Sequence, residues 1–248
     1  MTKQLGMSLS EHDISLVRAD NAGPFTLTGT NTWVMGRDPC WVIDPGPDLD
    51  AHVAAVAEEV RARGGAGGIA LTHHHADHAG AVEPLRAALG DVPLGSGPLE
   101  VVPTPGHTDD HVAFVFGDVA FTGDAVLGDG SVFVVGHLAE YLDALRSLRA
   151  RDLALLCPGH GSLVEDPAAK LDEYVSHRLD RERRLVAALD AGARSVDAML
   201  DAAWDDAPSA LRLAAAATLG AHLEKLAAEG RLPDGVERPR LPGGLRAP

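Results

Sequence analysis

The sequence predicts an α/β fold, and three observations carry that prediction. Strand-like and helix-like stretches alternate over the first two-thirds of the 248 residues. Histidines and aspartates fall directly after the strand-like stretches, where ligands gather in α/β proteins. Hydrophobic residues make up 46% of the chain, enough for a packed core and too many for a disordered chain.

Taken in order, residues 31–34 and 40–43 read as short strands around a turn, and Asp44-Pro45-Gly46-Pro47 breaks the sheet. Val53, Val56 and Val60 share one face of a helix over 50–63, which Gly64-Gly65 ends. A strand over 68–72 precedes a helix over 79–89. Strands follow over 99–102, 112–116 and 119–122, then a helix over 139–149 and a strand over 153–157. Asp166-Pro167 is a good helix start, and apolar spacing carries that long helix to about residue 191. Three short helices are expected at 196–203, 208–218 and 220–229, before a Pro-rich tail. This divides the chain into a catalytic domain over 1–166, a connecting helix over 167–191, and a small C-terminal domain and tail over 192–248.

Composition narrows the function classes. With 36 acidic residues against 21 Lys plus Arg, the formal charge is −15, which argues against a polyanionic partner bound by charge alone. Residues 1–166 hold 23 acids and 9 bases, so nearly all of the acidity belongs to the first two-thirds. Two cysteines, Cys40 and Cys157, make no disulfide framework and read as structural. Residues 1–10 lack a signal-peptide layout and no apolar run reaches about 20 residues, so the expectation is a cytoplasmic protein without a membrane partner.

The informative stretch is Thr72-His73-His74-His75-Ala76-Asp77-His78, set between a strand and a helix. His73 and His75 alternate and can project the same way from an extended loop, while Asp77 and His78 can face a second point nearby. Imidazole and carboxylate are the ligands of a zinc ion that keeps an open position. His74, between them, reads as structural. Pro105-Gly106-His107, Thr122-Gly123-Asp124 and Pro158-Gly159-His160 each place one more ligand-type residue at a strand end. Five histidines and two aspartates are enough for two metals.

With these motifs in this order, residues 20–165 resemble the metallo-β-lactamase superfamily. The resemblance implies an αββα sandwich, with His73, His75 and His107 on one metal, Asp77, His78 and His160 on the other, and Asp124 bridging. Asn21-Ala22-Gly23-Pro24-Phe25-Thr26-Leu27-Thr28-Gly29-Thr30-Asn31-Thr32-Trp33, Gly106-His107-Thr108-Asp109-Asp110-His111 and Gly123-Asp124-Ala125-Val126-Leu127-Gly128 are similar to the β-lactamase-like protein 2 group. So is Ser176-His177-Arg178-Leu179-Asp180-Arg181-Glu182. That group implies a small, mainly helical winged-helix-like C-terminal domain and metal-dependent cleavage of single-stranded RNA. One departure is the 29 positions from His78 to His107, about one β–α unit short, so the cleft wall there differs from the family's.

Two divalent ions a few ångströms apart lower the pKa of a shared water towards about 7 and polarise the attacked oxygen. The expected cofactor is two Zn²⁺ per chain, with iron or manganese as alternatives. Asp77 would also orient the nucleophile. Asp44 either accepts a hydrogen bond from a ligand imidazole or caps a strand corner. His111 reads as a donor to the substrate or leaving group, or as a packed side chain. His177 and Arg178 read as a phosphate-binding pair or a solvated helix face, and Tyr141 as a cleft residue or a core aromatic. The near-neutral C-terminal part is expected to pack on the catalytic domain or to contact a second copy of the chain in a homodimer. Two substrate classes follow, a single-stranded RNA phosphodiester and a small-molecule ester or thioester of glyoxalase II type. Further from these stand an iron oxidoreductase or dioxygenase and a non-catalytic metal-stabilised protein; absence of an export signal argues against an antibiotic-cleaving β-lactamase.

Overall fold

A computed structural model describes residues 9–240 and contains two four-stranded sheets with one plan. The first runs in the order β1 (Ile14–Arg18), β2 (Asn31–Met35), β3 (Cys40–Ile43) and β4 (Ala66–Ala70). The second runs β5 (Glu100–Pro103), β6 (Val112–Phe116), β7 (Val119–Gly123) and β8 (Leu155–Pro158). In each sheet the first three strands are antiparallel neighbours, and the last two are parallel.

Strands β2 and β7 are buried along their whole length, which is why neither alternates apolar with polar. Trp33, Met35 and Ile43 of the first sheet pack against Phe114, Phe121, Leu155 and Cys157 of the second. On the other face of the first sheet, Val34, Val42 and Ile69 pack under two helices, α1 (Asp50–Ala62) and α3 (Val82–Leu89). Val53, Val56 and Val60 of α1 and Leu85 of α3 supply that layer. Each such side chain, fully buried, contributes about 1.5–3 kcal/mol. A single turn, α2 (Ala76–Ala79), precedes α3.

The chain forms two compact units. The first comprises residues through Pro103, Asp110–Gly130 and Asp152–Pro167, and so contains both sheets. The second comprises Thr104–Asp109, Ser131–Arg151 and the chain from Ala168 onward. It holds α4 (Leu138–Arg149), nearly all of α5 (Pro167–Asp190), α6 (Val196–Ala203) and α7 (Arg212–Ala228). Leu185, Leu189, Met199, Leu200, Leu219, Leu223 and Leu226 make its core. Among the described residues no strand follows β8, and a turn at Gly230 ends α7.

Three elements differ from the sequence expectation. Strand β1 is an edge strand in which only Ile14 is fully buried, so it carries no alternating signal. The helix expected over 79–89 is broken because the Ala81 N–H donates to the Gly46 carbonyl and not into the helix. The two helices expected over 208–218 and 220–229 are one 3₁₀ turn, Ser209–Leu211, followed by the single α7, which runs through Gly220. Burial of Leu219, Ala221 and Leu223 around that glycine outweighs its helix cost of about 1 kcal/mol. No helix among the described residues is long and apolar enough to cross a membrane.

Candidate metal centre

In the first unit, four strands end in residues with polar side chains suited to ligands. Asp44 follows β3, the 73–78 run follows β4, Asp124 follows β7 and His160 follows β8. Because β3 and β4 are parallel, as are β7 and β8, each pair delivers its side chains to one sheet edge.

Buried Asp44 organises the first pair. Its Oδ1 accepts from the Thr72 N–H (2.7 Å), and its Oδ2 accepts from the Thr72 hydroxyl (2.7 Å) and from His78 Nδ1 (2.9 Å). With its proton given to Asp44, the Thr72 oxygen accepts from His73 Nδ1 at 3.0 Å. His160 Nδ1 lies 3.4 Å from the Gly29 carbonyl. In all three imidazoles the Nδ1 proton points outward, which turns Nε2 towards the centre. There His73 Nε2 lies 3.0 Å from His75 Nδ1, and His78 Nε2 lies 3.2 Å from His160 Nε2. Thr72 carries this arrangement and was not singled out by the sequence, although its place directly before the histidine run was a signal.

Two carboxylates complete the cluster. His160 Nε2 is 3.2 Å from Asp77 Oδ2 and 3.4 Å from Asp124 Oδ2, and His78 Nε2 is 3.5 Å from Asp124 Oδ1. Burial alone would push His160 down, but hydrogen bonds to Asp124 and Asp77 push it up to about 9. Burial likewise opposes ionisation of Asp124, and His78 and His160 hold it well below the usual carboxylate range. A metal ion would compete with protons for these nitrogens. Gly159 leaves the room for this: a Cβ there would lie 2.6 Å from both Asp124 Oδ1 and His78 Cε1.

The donor set fits a metal. Ligand atoms about 2.0–2.1 Å from a tetrahedral zinc sit about 3.3 Å from one another, close to the separations above. Two groups in this unit, His73–His78–Asp124 and Asp77–His78–His160, each keep their ligand atoms within 4.8 Å.

The remaining candidates take other places. His74 is exposed and pairs with Asp110 at 2.8 Å. His111 is buried, accepts the Asp124 N–H at Nε2 (3.1 Å) and stacks on His73. His107 belongs to the second unit, where its Nδ1 lies 3.3 Å from the Phe133 carbonyl. Also in that unit, Arg178 is buried, donates to Ser131 Oγ (3.0 Å) and the Val132 carbonyl, and lies over the Tyr141 ring. Burial pushes the Tyr141 hydroxyl up to about 12. His177 lies 3.4 Å from Ser131 Oγ and accepts from Arg181 Nε. Burial, with Arg178 and Arg181 close by, lowers it to about 4.

Comparison with known proteins bears on this geometry. Residues 25–95 and 87–160 match the family described as Metallo-beta-lactamase superfamily, and residues 195–234 match the Beta-lactamase associated winged helix domain. A Beta-lactamase-like protein 2 homolog of Drosophila melanogaster is 30% identical over 86% of this chain and 87% of its own. A Caenorhabditis elegans protein of the same description is 27% identical over 88% and 85%. Among solved structures, a metallo-beta-lactamase family protein from Thermus thermophilus superposes with a TM-score of 0.69 at 22% identity, over 88% of this chain and 94% of that one.

Proposed function

The chain belongs to the metallo-beta-lactamase superfamily, and from that premise we propose that it is a two-zinc hydrolase cleaving single-stranded RNA phosphodiesters. In this reading, which the resemblance supplies, His73, His75 and His107 would hold one ion, Asp77, His78 and His160 would hold the other, and Asp124 would serve both. The observation that carries the hydrolase reading is the set of imidazole nitrogens turned inward by Asp44, Thr72 and the Gly29 carbonyl onto two carboxylates. The RNA substrate follows from the resemblance to the β-lactamase-like protein 2 group.

When bound, such a pair of ions supplies a water acidic enough to ionise near pH 7 and positive charge facing the phosphoryl oxygen. The chain's own groups do the rest. Asp77, half-buried beside His160, would orient the attacking water. His111 holds the backbone N–H of Asp124 and so steadies the shared carboxylate. Arg178 and Tyr141 are buried, which leaves them a supporting role, Arg178 by holding the Ser131–Val132 segment, and the half-buried His177 is the one of the three proposed to meet the substrate.

A small-molecule thioester is the second reading, favoured by the 23 acids against 9 bases in residues 1–166, which repel a long polyanion. Zinc-loaded chain offered fluorescent single-stranded RNA and a glutathione thioester in parallel separates the two. The expected result is RNA cleavage that drops at least about 100-fold in Asp77→Asn. Thioester turnover with intact RNA would replace the first reading by the second.

A further inference from the structure

We propose that Asn31 is a positioning residue for His160, a clamp that sets the 158–161 loop. The inference rests on the metal-centre reading above. The loop is Pro158-Gly159-His160-Gly161, with Gly161 at φ +83°, so its own side chains do little to fix its path. All four of its carbonyls are nevertheless held. Asn31 Nδ2 donates to the Pro158 carbonyl (2.9 Å) and to the Gly161 carbonyl (3.0 Å), and the Asn31 backbone N–H donates to the Gly159 carbonyl (2.7 Å). The His160 carbonyl accepts from the Gly128 N–H at 2.9 Å.

The amide orientation is itself enforced. Arg18 Nε donates to Asn31 Oδ1 (2.9 Å) and its other nitrogen reaches the Gly161 carbonyl (3.1 Å), so Oδ1 faces β1 and both Nδ2 protons face the loop. Asparagine is depleted in strands, and burying its amide is unfavourable unless every polar atom finds a partner. Asn31 opens a fully buried strand and is itself fully buried. Its presence there makes sense through the loop that it holds, since an apolar side chain would serve the strand better. The consequence falls on His160, whose ring stands between the Gly29 carbonyl and the cluster of His78, Asp77 and Asp124.

Asn31→Asp keeps the shape and the acceptor for Arg18 but turns both donors into acceptors facing carbonyl oxygens. The test is a zinc titration against a competing chelator, joined to amide exchange of Gly159 and Gly161 in the zinc-free chain. Wild type is expected to take up two zinc ions. Asn31→Asp is expected to hold one ion as wild type does and the other about 10–100-fold more weakly, with faster exchange in the loop. Leu85→Ala, in the helical layer, is the control: it lowers Tm and leaves both zinc affinities in place. Arg18→Met, which loses the orienting bonds and keeps the Asn31 amide, repeats the selective loss more weakly and serves if Asn31→Asp does not fold. Two ions at wild-type affinity in both variants overturn the proposal, as does loss of both ions together in step with Tm. Fewer than two ions in wild type overturns the metal reading instead, and loop exchange in the zinc-free variants then still judges the clamp.

Discussion

Thr72 shows how much of the centre depends on one hydroxyl. It gives its proton to Asp44 and receives one from His73, so Asp44 fixes the tautomer of two imidazoles, His78 directly and His73 through Thr72. Thr72→Val keeps the shape and removes the relay, which frees the His73 ring to turn. Zinc affinity is expected to fall about 10–100-fold, read in a chelator competition, and the zinc-free chain to lose about 1–3 kcal/mol of stability, because buried Asp44 and His73 each lose a partner. Unchanged affinity would show that packing alone orients His73. The histidines and aspartates themselves were legible in the sequence because ligand chemistry admits few residue types at such short spacing. Thr72 and Asn31 were not, because their roles lie in bonds to Asp44 and to the 158–161 loop, tens to more than a hundred residues away. No local pattern reports such contacts.

At the scale of elements, what was legible followed from periodicity and what was missed followed from context. The two long-patterned helices, α1 and α5, stand where their apolar spacing put them. The edge strand β1 and the continuity of α7 through Gly220 depend on neighbours that no window of sequence contains. Helix α7 also carries a buried histidine that the sequence did not single out. His222 is fully buried, edge-on to Trp204, and neither ring nitrogen has a hydrogen-bond partner among the described residues. Burial, then Arg178 and Lys225, lower it to about 3, so the folded chain keeps it neutral while the unfolded chain protonates it near 6.5. Between those values the unfolded state binds the extra proton. The stability contributed by the neutral imidazole is therefore complete above about pH 6.5 and is lost as pH falls towards 3. From pH 7 to pH 5 the loss is about 2 kcal/mol from this group, with His177 adding in the same direction. His222→Leu is expected to melt at or above the wild-type temperature at pH 7 and to lose less on acidification. A parallel decline of both proteins in urea melts at pH 7 and 5 would remove His222 as the cause.

For the whole molecule, the distribution of charge sets how a polyanion can be handled. The formal charge is −15, and residues 1–166 hold nearly all of the excess acid. Two bound divalent ions would bring the total to about −11 and concentrate the positive charge at the metal centre. Several of the arginines that could contact phosphate have other partners. Arg63 is buried against Glu59 and Asp13, Arg181 against Asp206 and the Ala203 carbonyl, and Arg178 against Val132. Under the RNA reading, the strand is therefore held by the metal centre and few further phosphate contacts. Each contact to a single strand contributes about −0.7 to the slope of log affinity against log salt. With one or two contacts, log kcat/KM against log NaCl concentration should fall with a slope no steeper than about −1.4. Cleavage of a short oligonucleotide and a long one should then respond to salt alike, because phosphates beyond the centre add nothing. A slope steeper than about −3, or one that grows with strand length, would mean that a basic track guides the RNA. The near-neutral residues 167–248, with 12 bases against 13 acids, would be the place to look for it.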